Sequence, residues 1–149
     1  MQMKRENIEN PETGTLYIDV SEDNPFYKAY KVAESAFWVP EEFASALAAD
    51  ESMFPKLDPN IQHLVKNVIG FFLIGDGLIN DSIQDNIDSR IQPRVLKFFY
   101  DFQKAMENIH NKCYSKLVDT YVKNTKERAL MFDTLNNFPC IKKKVEWVK

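Results

Sequence analysis

Residues 107–114 read Glu-Asn-Ile-His-Asn-Lys-Cys-Tyr, and this stretch decides how the chain is expected to fold. At about 3.6 residues per helical turn, Glu107, His110 and Tyr114 lie along one helix face as a carboxylate, an imidazole and a phenol. The same stripe carries side chains that seek a core, namely Phe99, Met106, Leu117 and Tyr121. A carboxylate and an imidazole that face a core need a partner, because an unpaired buried ion costs several kcal/mol.

A metal ion is a partner that suits both groups. Glu-x-x-His projecting into a helical bundle is the recurring ligand unit of di-iron and di-manganese carboxylate proteins. By itself the motif also occurs as a salt-bridged pair on a helix surface, and Tyr114 by itself is typical of a core tyrosine with a satisfied hydroxyl. The other histidine, His63, has Asn60 three residues before it instead of a carboxylate, so we expect it on a helix surface.

Apolar residues recur at helical spacing on both sides of a break at residues 89–93, which places the motif on one of two long helices. The first begins at Asp58-Pro59, an N-cap followed by a proline at the first helical position, and runs to Ile87. The second begins at Pro93 and ends near residues 124–125, where Thr125 can cap a third helix. The pattern predicts an antiparallel helical hairpin in an all-α fold.

The remaining segments complete the expected organisation. Residues 1–23 form a polar N-terminal segment, and residues 24–149 form the helical domain. Short helices are predicted to begin at Pro25 and Pro40, and another begins at Ile141. Residues 44–55 are expected to be an irregular connection.

Asp76 provides a geometric check on the hairpin. It lies 16 residues before Gln92, and Glu107 lies 15 residues after Gln92, so both are about 23 Å from the turn at roughly 1.5 Å per residue. Asp76 is also the only charged residue between positions 68 and 79. An aspartate between two glycines can also interrupt or cap a helix. Its level opposite Glu107 and His110 nevertheless predicts a cluster of three metal ligands.

Composition narrows the expected partners and location. A net charge of −3 and a pI near 5.4 give no electrostatic basis for binding nucleic acid or an anionic membrane. Residues 1–12 lack the apolar core of a secretory signal, and the apolar stretch at residues 68–75 is too short to cross a bilayer. Cys113 and Cys140 have no second pair, which favours reduced thiols and a cytoplasmic protein.

Further segments accompany these residues in a fixed order. They are Ser-Ala-Phe-Trp at 35–38, Pro-Glu-Glu at 40–42, Gly-Asp-Gly-Leu-Ile at 75–79, Phe-Tyr-Asp-Phe-Gln at 99–103, Ala-Met-Glu-Asn-Ile-His at 105–110, Tyr-Ser at 114–115, Asp-Thr-Tyr-Val-Lys at 119–123, Lys-Glu-Arg at 126–128 and Pro-Cys-Ile-Lys-Lys-Lys at 139–144, with Trp147. In this order and spacing the chain resembles the small, radical-generating subunit of class I ribonucleotide reductase, particularly the eukaryotic and viral type. The resemblance implies a ferritin-like helical bundle.

The resemblance also implies roles for single residues. Asp76, Glu107 and His110 match ligands of one iron of a di-iron centre, with Glu107 bridging the pair and manganese as the alternative metal. Tyr114 matches the tyrosine that becomes a stable radical, and Trp38 matches the tryptophan on the electron-transfer route. The implied chemistry is O₂ activation at the reduced di-metal centre and one-electron oxidation of Tyr114. A large catalytic subunit then uses the radical equivalent to reduce ribonucleoside diphosphates, the step that supplies deoxyribonucleotides for DNA replication.

Two differences from the family pattern affect this interpretation. Residues 111–113 read Asn-Lys-Cys where the family commonly has Ser-Glu-Met. A complete bundle site takes a carboxylate from each of two helices and a Glu-x-x-His from each of two more, and this sequence holds one of each. We therefore expect an N-terminal half, completed by the missing C-terminal half of the small subunit or by a second small-subunit chain, in a dimer.

Two alternatives stay open at the sequence level. In the first, the chain is a homodimeric di-metal carboxylate protein, in which two copies supply both ligand sets. In the second, it is a non-catalytic, regulatory helical partner of a full small subunit. The homodimer is expected to bind metal unaided. The regulatory partner is expected to keep its function when the carboxylates are removed.

Overall fold

The computed structural model describes residues 18–91, 93–133 and 139–148, and every regular element within those ranges is helical. The α-helices are α1 (Pro25–Ser35), α2 (Ala44–Met53), α3 (Pro59–Ser82), α4 (Arg94–Tyr121), α5 (Thr125–Phe132) and α6 (Pro139–Val148). The all-α prediction is therefore confirmed. None of these helices is long and apolar enough to cross a membrane. The predicted polar segment at residues 1–23 lies outside the described residues up to position 17.

Capping residues define where the helices begin. The Asn24 side chain accepts hydrogen bonds from the backbone N–H of Phe26 at 2.9 Å, so α1 begins at Pro25 as predicted. The Asp58 carboxylate accepts from the backbone N–H of Asn60 at 2.8 Å, which places the start of α3 at Pro59, also as predicted.

The start of α5 differs from the prediction by one residue. The sequence favoured Thr125 as its cap, but the side chain of Asn124 accepts from the N–H groups of Lys126 and Glu127 at 2.9 and 3.2 Å. Asn124 is therefore the N-cap and Thr125 is the first helical residue. The backbone of Asn124 is in the extended region typical of an N-cap residue, and asparagine is preferred to threonine at that position.

The prediction of an irregular connection at residues 44–55 is wrong. Residues Ala44–Met53 form α2, and a short 3₁₀ turn, Phe54–Lys56, follows it. The segment contains four alanines and no glycine, so its intrinsic helix propensity is high. Its apolar residues do not form a stripe, and for that reason the periodicity of the sequence did not reveal the helix.

The predicted end of the first long helix is confirmed in position but differs in geometry. Regular α-helix stops at Ser82, and residues Ile83–Ile87 form a π-helical turn. The backbone N–H of Asp88 donates to the carbonyl of Ile83 at 3.0 Å, the wider spacing that defines such a turn. The helical path therefore reaches Ile87 before the predicted break.

The chain divides into two compact units, and α4 contributes residues to both. The first unit combines Met1–Phe37 with Ile83–Met106. Within it, the ring of Tyr30 in α1 packs edge-on against Phe98 and Phe102 of α4, each at 6.2 Å between ring centroids. Val95 is buried in the same unit, with 5% of its surface exposed. Aromatic packing of α1 on the first half of α4 therefore forms the interior of this unit.

The second unit, Trp38–Ser82 with Glu107–Lys149, contains the larger core. Its centre is the cluster Ile69, Val118, Val122 and Met131. Helix α5 reaches this core through Met131, and its Glu127 forms a salt bridge with Lys66 of α3 at 2.8 Å. Burial of these apolar side chains holds α3, α4 and α5 together.

Helices α3 and α4 run antiparallel within the second unit, as predicted. The Asn80 side-chain amide donates to the Asn108 side chain at 2.9 Å. About two turns nearer the start of α3, the Asn111 amide donates to the carbonyl of Leu73 at 3.3 Å. The reversed order of the two contacts fixes the register in which Asp76 faces Glu107.

Candidate metal centre

Three predicted ligand residues come together between α3 and α4. Asp76, Glu107 and His110 each offer one ligand atom, and these atoms all lie within 4.8 Å of one another. The His110 Nδ1 atom lies 3.3 Å from a Glu107 oxygen and 3.7 Å from an Asp76 oxygen. The register of the helix pair therefore brings together residues that are 31 and 34 positions apart in the sequence.

Burial makes this cluster electrostatically unusual. Asp76 and Glu107 retain only 8% and 9% of their surface exposed, whereas the side chain of His110 is about one-third exposed. Burial, with a further contribution from the neighbouring Glu107, raises the pKa of Asp76 to about 6, and His110 opposes the shift. The raised pKa shows that His110 alone does not balance the two buried negative charges.

One atom of the cluster is suited to hold a cation. Among the described residues, Asp76 Oδ2 is a buried oxygen without a hydrogen-bond partner. An unsatisfied buried acceptor of this kind calls for an explanation, and the binding of an ion at that oxygen is a common one. Carboxylate oxygens and an imidazole nitrogen are ligands that suit iron and manganese. The residues present therefore fit a site of the predicted type, although their role as ligands stays a prediction.

Three asparagines lie around the cluster, and sequence reasoning did not assign them a role. Asn80 lies one turn after Asp76 and bonds to Asn108, which lies between Glu107 and His110. Asn111 follows His110 directly and bonds to the backbone of α3. They fix the two helices against each other on either side of the ligands. The only signal in the sequence was their position next to the proposed ligands, because asparagine is unusual at helix–helix contacts.

Tyr114 lies one helical turn beyond His110 on the same side of α4. Its ring stacks on Phe72 of α3, with centroids 5.6 Å apart and planes inclined by 9°. Burial raises the pKa of the Tyr114 phenol, and the charges of Asp76 and Glu107 raise it further. These effects make the phenol harder to deprotonate than a tyrosine in water. Phe72 is the residue that the sequence did not single out, because it looked like one more apolar position.

Trp38 also lies at the cluster. Its indole stacks on the imidazole of His110 at 5.3 Å with an interplanar angle of 22°, and the ring of Phe43 contacts it edge-on at 5.6 Å. The indole therefore touches a proposed ligand directly. The structure thus brings together all five predicted site residues within the second unit, and His63 is exposed on α3 as predicted.

A helical protein with buried carboxylates and a histidine between two antiparallel helices belongs by its architecture to the class of helical metal–carboxylate proteins. The sequence profile described as "Ribonucleotide reductase, small chain" matches residues 17–149. The chain therefore belongs to the ribonucleotide reductase small-chain family. Together with the all-helical elements, this membership confirms the predicted ferritin-like class of the small subunits.

Relatives from mammals and viruses are similar over most of this chain. The "Ribonucleoside-diphosphate reductase subunit M2" of Mesocricetus auratus is 39% identical over 126 residues, which cover 85% of this chain and 32% of the relative. The human subunit M2 is 36% identical over 93% of this chain and 35% of its own length. The small chain of Monkeypox virus is 34% identical over 97% of this chain and 44% of its own length. The chain thus spans about a third to less than half of these relatives.

Proposed function

We propose that this chain is the part of a ribonucleoside-diphosphate reductase small subunit that supplies half of a di-iron centre together with the radical-forming tyrosine. The single observation that carries the proposal is the buried cluster of Asp76, Glu107 and His110 with its unpartnered Asp76 oxygen. Family membership supports the same reading. In this proposal the protein works in the cytoplasm beside a large catalytic subunit.

Each residue has a defined task in the proposal. Asp76, Glu107 and His110 hold one metal ion, with manganese as the alternative to iron. When bound, the di-metal centre supplies the one-electron oxidation of a nearby phenol. Tyr114 presents that phenol in protonated form, and burial together with the two carboxylates raises its pKa further above neutrality. Phe72 covers one face of the ring and excludes water from it. Trp38 provides an aromatic contact to His110 for electron transfer.

The ligand set of this chain is half of what a di-metal bundle site requires. Such sites combine two lone carboxylates with two Glu-x-x-His units. The sequence has a single Glu-x-x-His, since the only other histidine, His63, has Asn60 three residues before it. We propose that the remaining ligands come from polypeptide outside these 149 residues, either in the same subunit or in a second chain.

Electron paramagnetic resonance tests the proposal. The chain is co-expressed with the segment that carries the second ligand set, and iron and O₂ are added. We expect about two irons per assembled site and a tyrosyl radical signal. Tyr114→Phe abolishes the signal, whereas Tyr100→Phe, a second tyrosine of α4, retains it. An assembled complex that takes up no iron and shows no radical signal would contradict the proposal.

A homodimeric metal protein is the second candidate, because the cluster lies beside exposed apolar residues of α3. Val68, Phe72 and Ile79 are 40–44% exposed on the helix that carries Asp76. Two copies facing each other would supply two carboxylates and two Glu-x-x-His units. Metal analysis of the purified chain separates the candidates. About two bound metals per dimer favour the homodimer, and little metal without the complementary segment favours the proposal above.

A further inference from the structure

We propose that Glu41, bound by Lys112 and Lys116 of α4, is a positioning residue that holds Trp38 against His110. Only the functional importance of this positioning rests on the proposed function, in which Trp38 contacts a metal ligand. The positioning itself is a property of the metal-free chain. No family pattern described above assigns this role.

A single carboxylate oxygen receives both cations. The Nζ atoms of Lys112 and Lys116 lie 2.7 and 2.9 Å from Oε1 of Glu41. The two lysines are one helical turn apart, so their like charges repel each other unless Glu41 lies between them. Hydrogen bonds from Lys112 and Lys116 lower the pKa of Glu41 to about 2, and the carboxylate is ionised throughout the physiological range. We call this three-residue contact the Glu41 clamp.

The turn that carries Glu41 transmits the clamp to Trp38. Residues Pro40–Phe43 form one 3₁₀ turn, and Pro40 at its start is fully buried. The backbone N–H of Val39 donates to the Glu42 side chain at 3.2 Å, which closes the turn on the Trp38 side. The ring of Phe43 then contacts the indole edge-on. A contact at Glu41 therefore restrains the short segment that begins with Trp38.

Helix α4 supplies both ends of the arrangement. His110, on which Trp38 stacks, is two residues before Lys112, so the ring and the clamp share one rigid element. Exposed ion pairs contribute little to global stability, and the Glu41 side chain is about half exposed. The clamp therefore determines where the turn lies on α4 without determining whether the chain folds.

The charge at position 112 is essential to the Glu41 clamp. Lys112 stands where the resemblance places a glutamate in the family. A glutamate at that position would repel Glu41 across the same short distance. Lys112 therefore supplies an attraction to Glu41 that a glutamate at the same position could not supply.

Spectroscopy of the metal-free chain tests the proposal. Trp147→Phe is introduced first, because it leaves Trp38 as the only tryptophan. In this background Glu41→Gln raises acrylamide quenching of Trp38 fluorescence by about two- to five-fold, the change in population that an exposed ion pair supports. The upfield ring-current shift of the His110 ring protons in the NMR spectrum is lost as well. His63 is exposed and provides an internal reference for this shift.

Matched variants distinguish positioning from a general loss of structure. Glu51 forms a comparable exposed pair with Lys123 at 2.8 Å, and Glu51→Gln changes neither readout. Reversing the charges with Glu41→Lys, Lys112→Glu and Lys116→Glu restores both readouts. Molar salt applied to the Trp147→Phe chain reproduces the effect of Glu41→Gln without a further mutation. The proposal is overturned if Glu41→Gln behaves like Glu51→Gln, or if salt leaves Trp38 unchanged. Neither result depends on metal binding or on a tyrosyl radical.

Discussion

Asp76 shows how a buried carboxylate can lower the stability of the fold that contains it. The side chain is buried beside a second carboxylate, and one of its oxygens is without a hydrogen-bond partner among the described residues. Such an arrangement costs free energy until a cation binds there. The free energy of unfolding of the metal-free chain therefore measures the cost of burying this carboxylate.

Replacing Asp76 by asparagine tests this cost. The change removes the charge with little change in shape, so Asp76→Asn should raise the free energy of unfolding of the metal-free chain at pH 7. The pKa of about 6, against an ordinary 3.8, corresponds to a gain of about 3 kcal/mol. Urea denaturation measures it. Asp81→Asn, at an exposed position of α3, serves as the control with no gain. A less stable Asp76→Asn chain would show that the carboxylate is not under strain.

Tyr121 gives a pH-dependent prediction away from the ligands. Burial, and then the hydrogen bond from its hydroxyl to Asp50 at 2.7 Å, raise the pKa of Tyr121 to about 12. Because the folded pKa exceeds the ordinary value of 10.0, the stability that this group contributes is complete below pH 10 and is lost as pH rises through about 12. An alkaline titration of tyrosinate absorbance should show one late phase. Tyr121→Phe removes the phase, Asp50→Asn moves it to lower pH, and Glu51→Gln leaves it in place.

At the scale of an element, α3 combines a packed face with an open one. Gly70 faces the core, where an added Cβ atom would lie 3.0 Å from Cγ of Met131. Gly77 differs, since a Cβ atom there would meet no described atom within 4 Å. Both glycines lie inside a helix, where glycine is unfavourable relative to alanine. Substitutions at the two positions therefore distinguish the effect of helix propensity from the effect of packing.

Alanine at these two positions should have opposite consequences. Gly77→Ala should stabilise the chain by about 0.5–1 kcal/mol, because it gains helix propensity without a clash. Gly70→Ala should gain nothing or lose stability, because Met131 is 8% exposed and has to move within the core. Chemical denaturation of the two variants side by side measures the difference. Equal stabilisation of both would mean that Met131 adapts freely.

At the scale of the whole molecule, the apolar residues that remain exposed are as informative as the core. Helix α3 exposes five large apolar side chains at helical spacing, with 40–63% of their surface accessible. They are Ile61, Leu64, Val68, Phe72 and Ile79. Contiguous apolar surface of this kind marks an interaction site. In the proposed function, the helices that carry the second ligand set cover this stripe.

Charged substitutions on this stripe test that assignment. Leu64→Lys combined with Val68→Lys should leave the helix content unchanged and the stability of the isolated chain within about 0.5 kcal/mol, because both residues are exposed. The same variant should fail to assemble with the complementary segment and should lose the radical signal. Val32→Lys, at a position 70% exposed outside this stripe, should assemble normally. Normal assembly of the double variant would place the partner elsewhere.

The sequence by itself determined the helical class and the positions of the residues proposed as ligands. Helix starts at Pro25 and Pro59 followed from capping residues, and the level of Asp76 opposite Glu107 followed from counting residues about the turn. These features depend on local geometry, namely a fixed rise and a fixed number of residues per turn. Helix α2 was missed although it is also local, because propensity without an apolar stripe leaves no periodic signal.

Only the tertiary structure decided which distant residues contact the proposed site and the part of α4 that carries it. Trp38 stacks on His110, Phe72 stacks on Tyr114, and Glu41 binds Lys116 across 75 positions of sequence. Such contacts depend on how separate helices and turns pack, and neither periodicity nor propensity records that. For the same reason the unpartnered oxygen of Asp76 became visible only in three dimensions. Whether a carboxylate is buried, and whether it has hydrogen-bond partners, depends on the residues around it. Those residues come from segments that are far apart in the sequence.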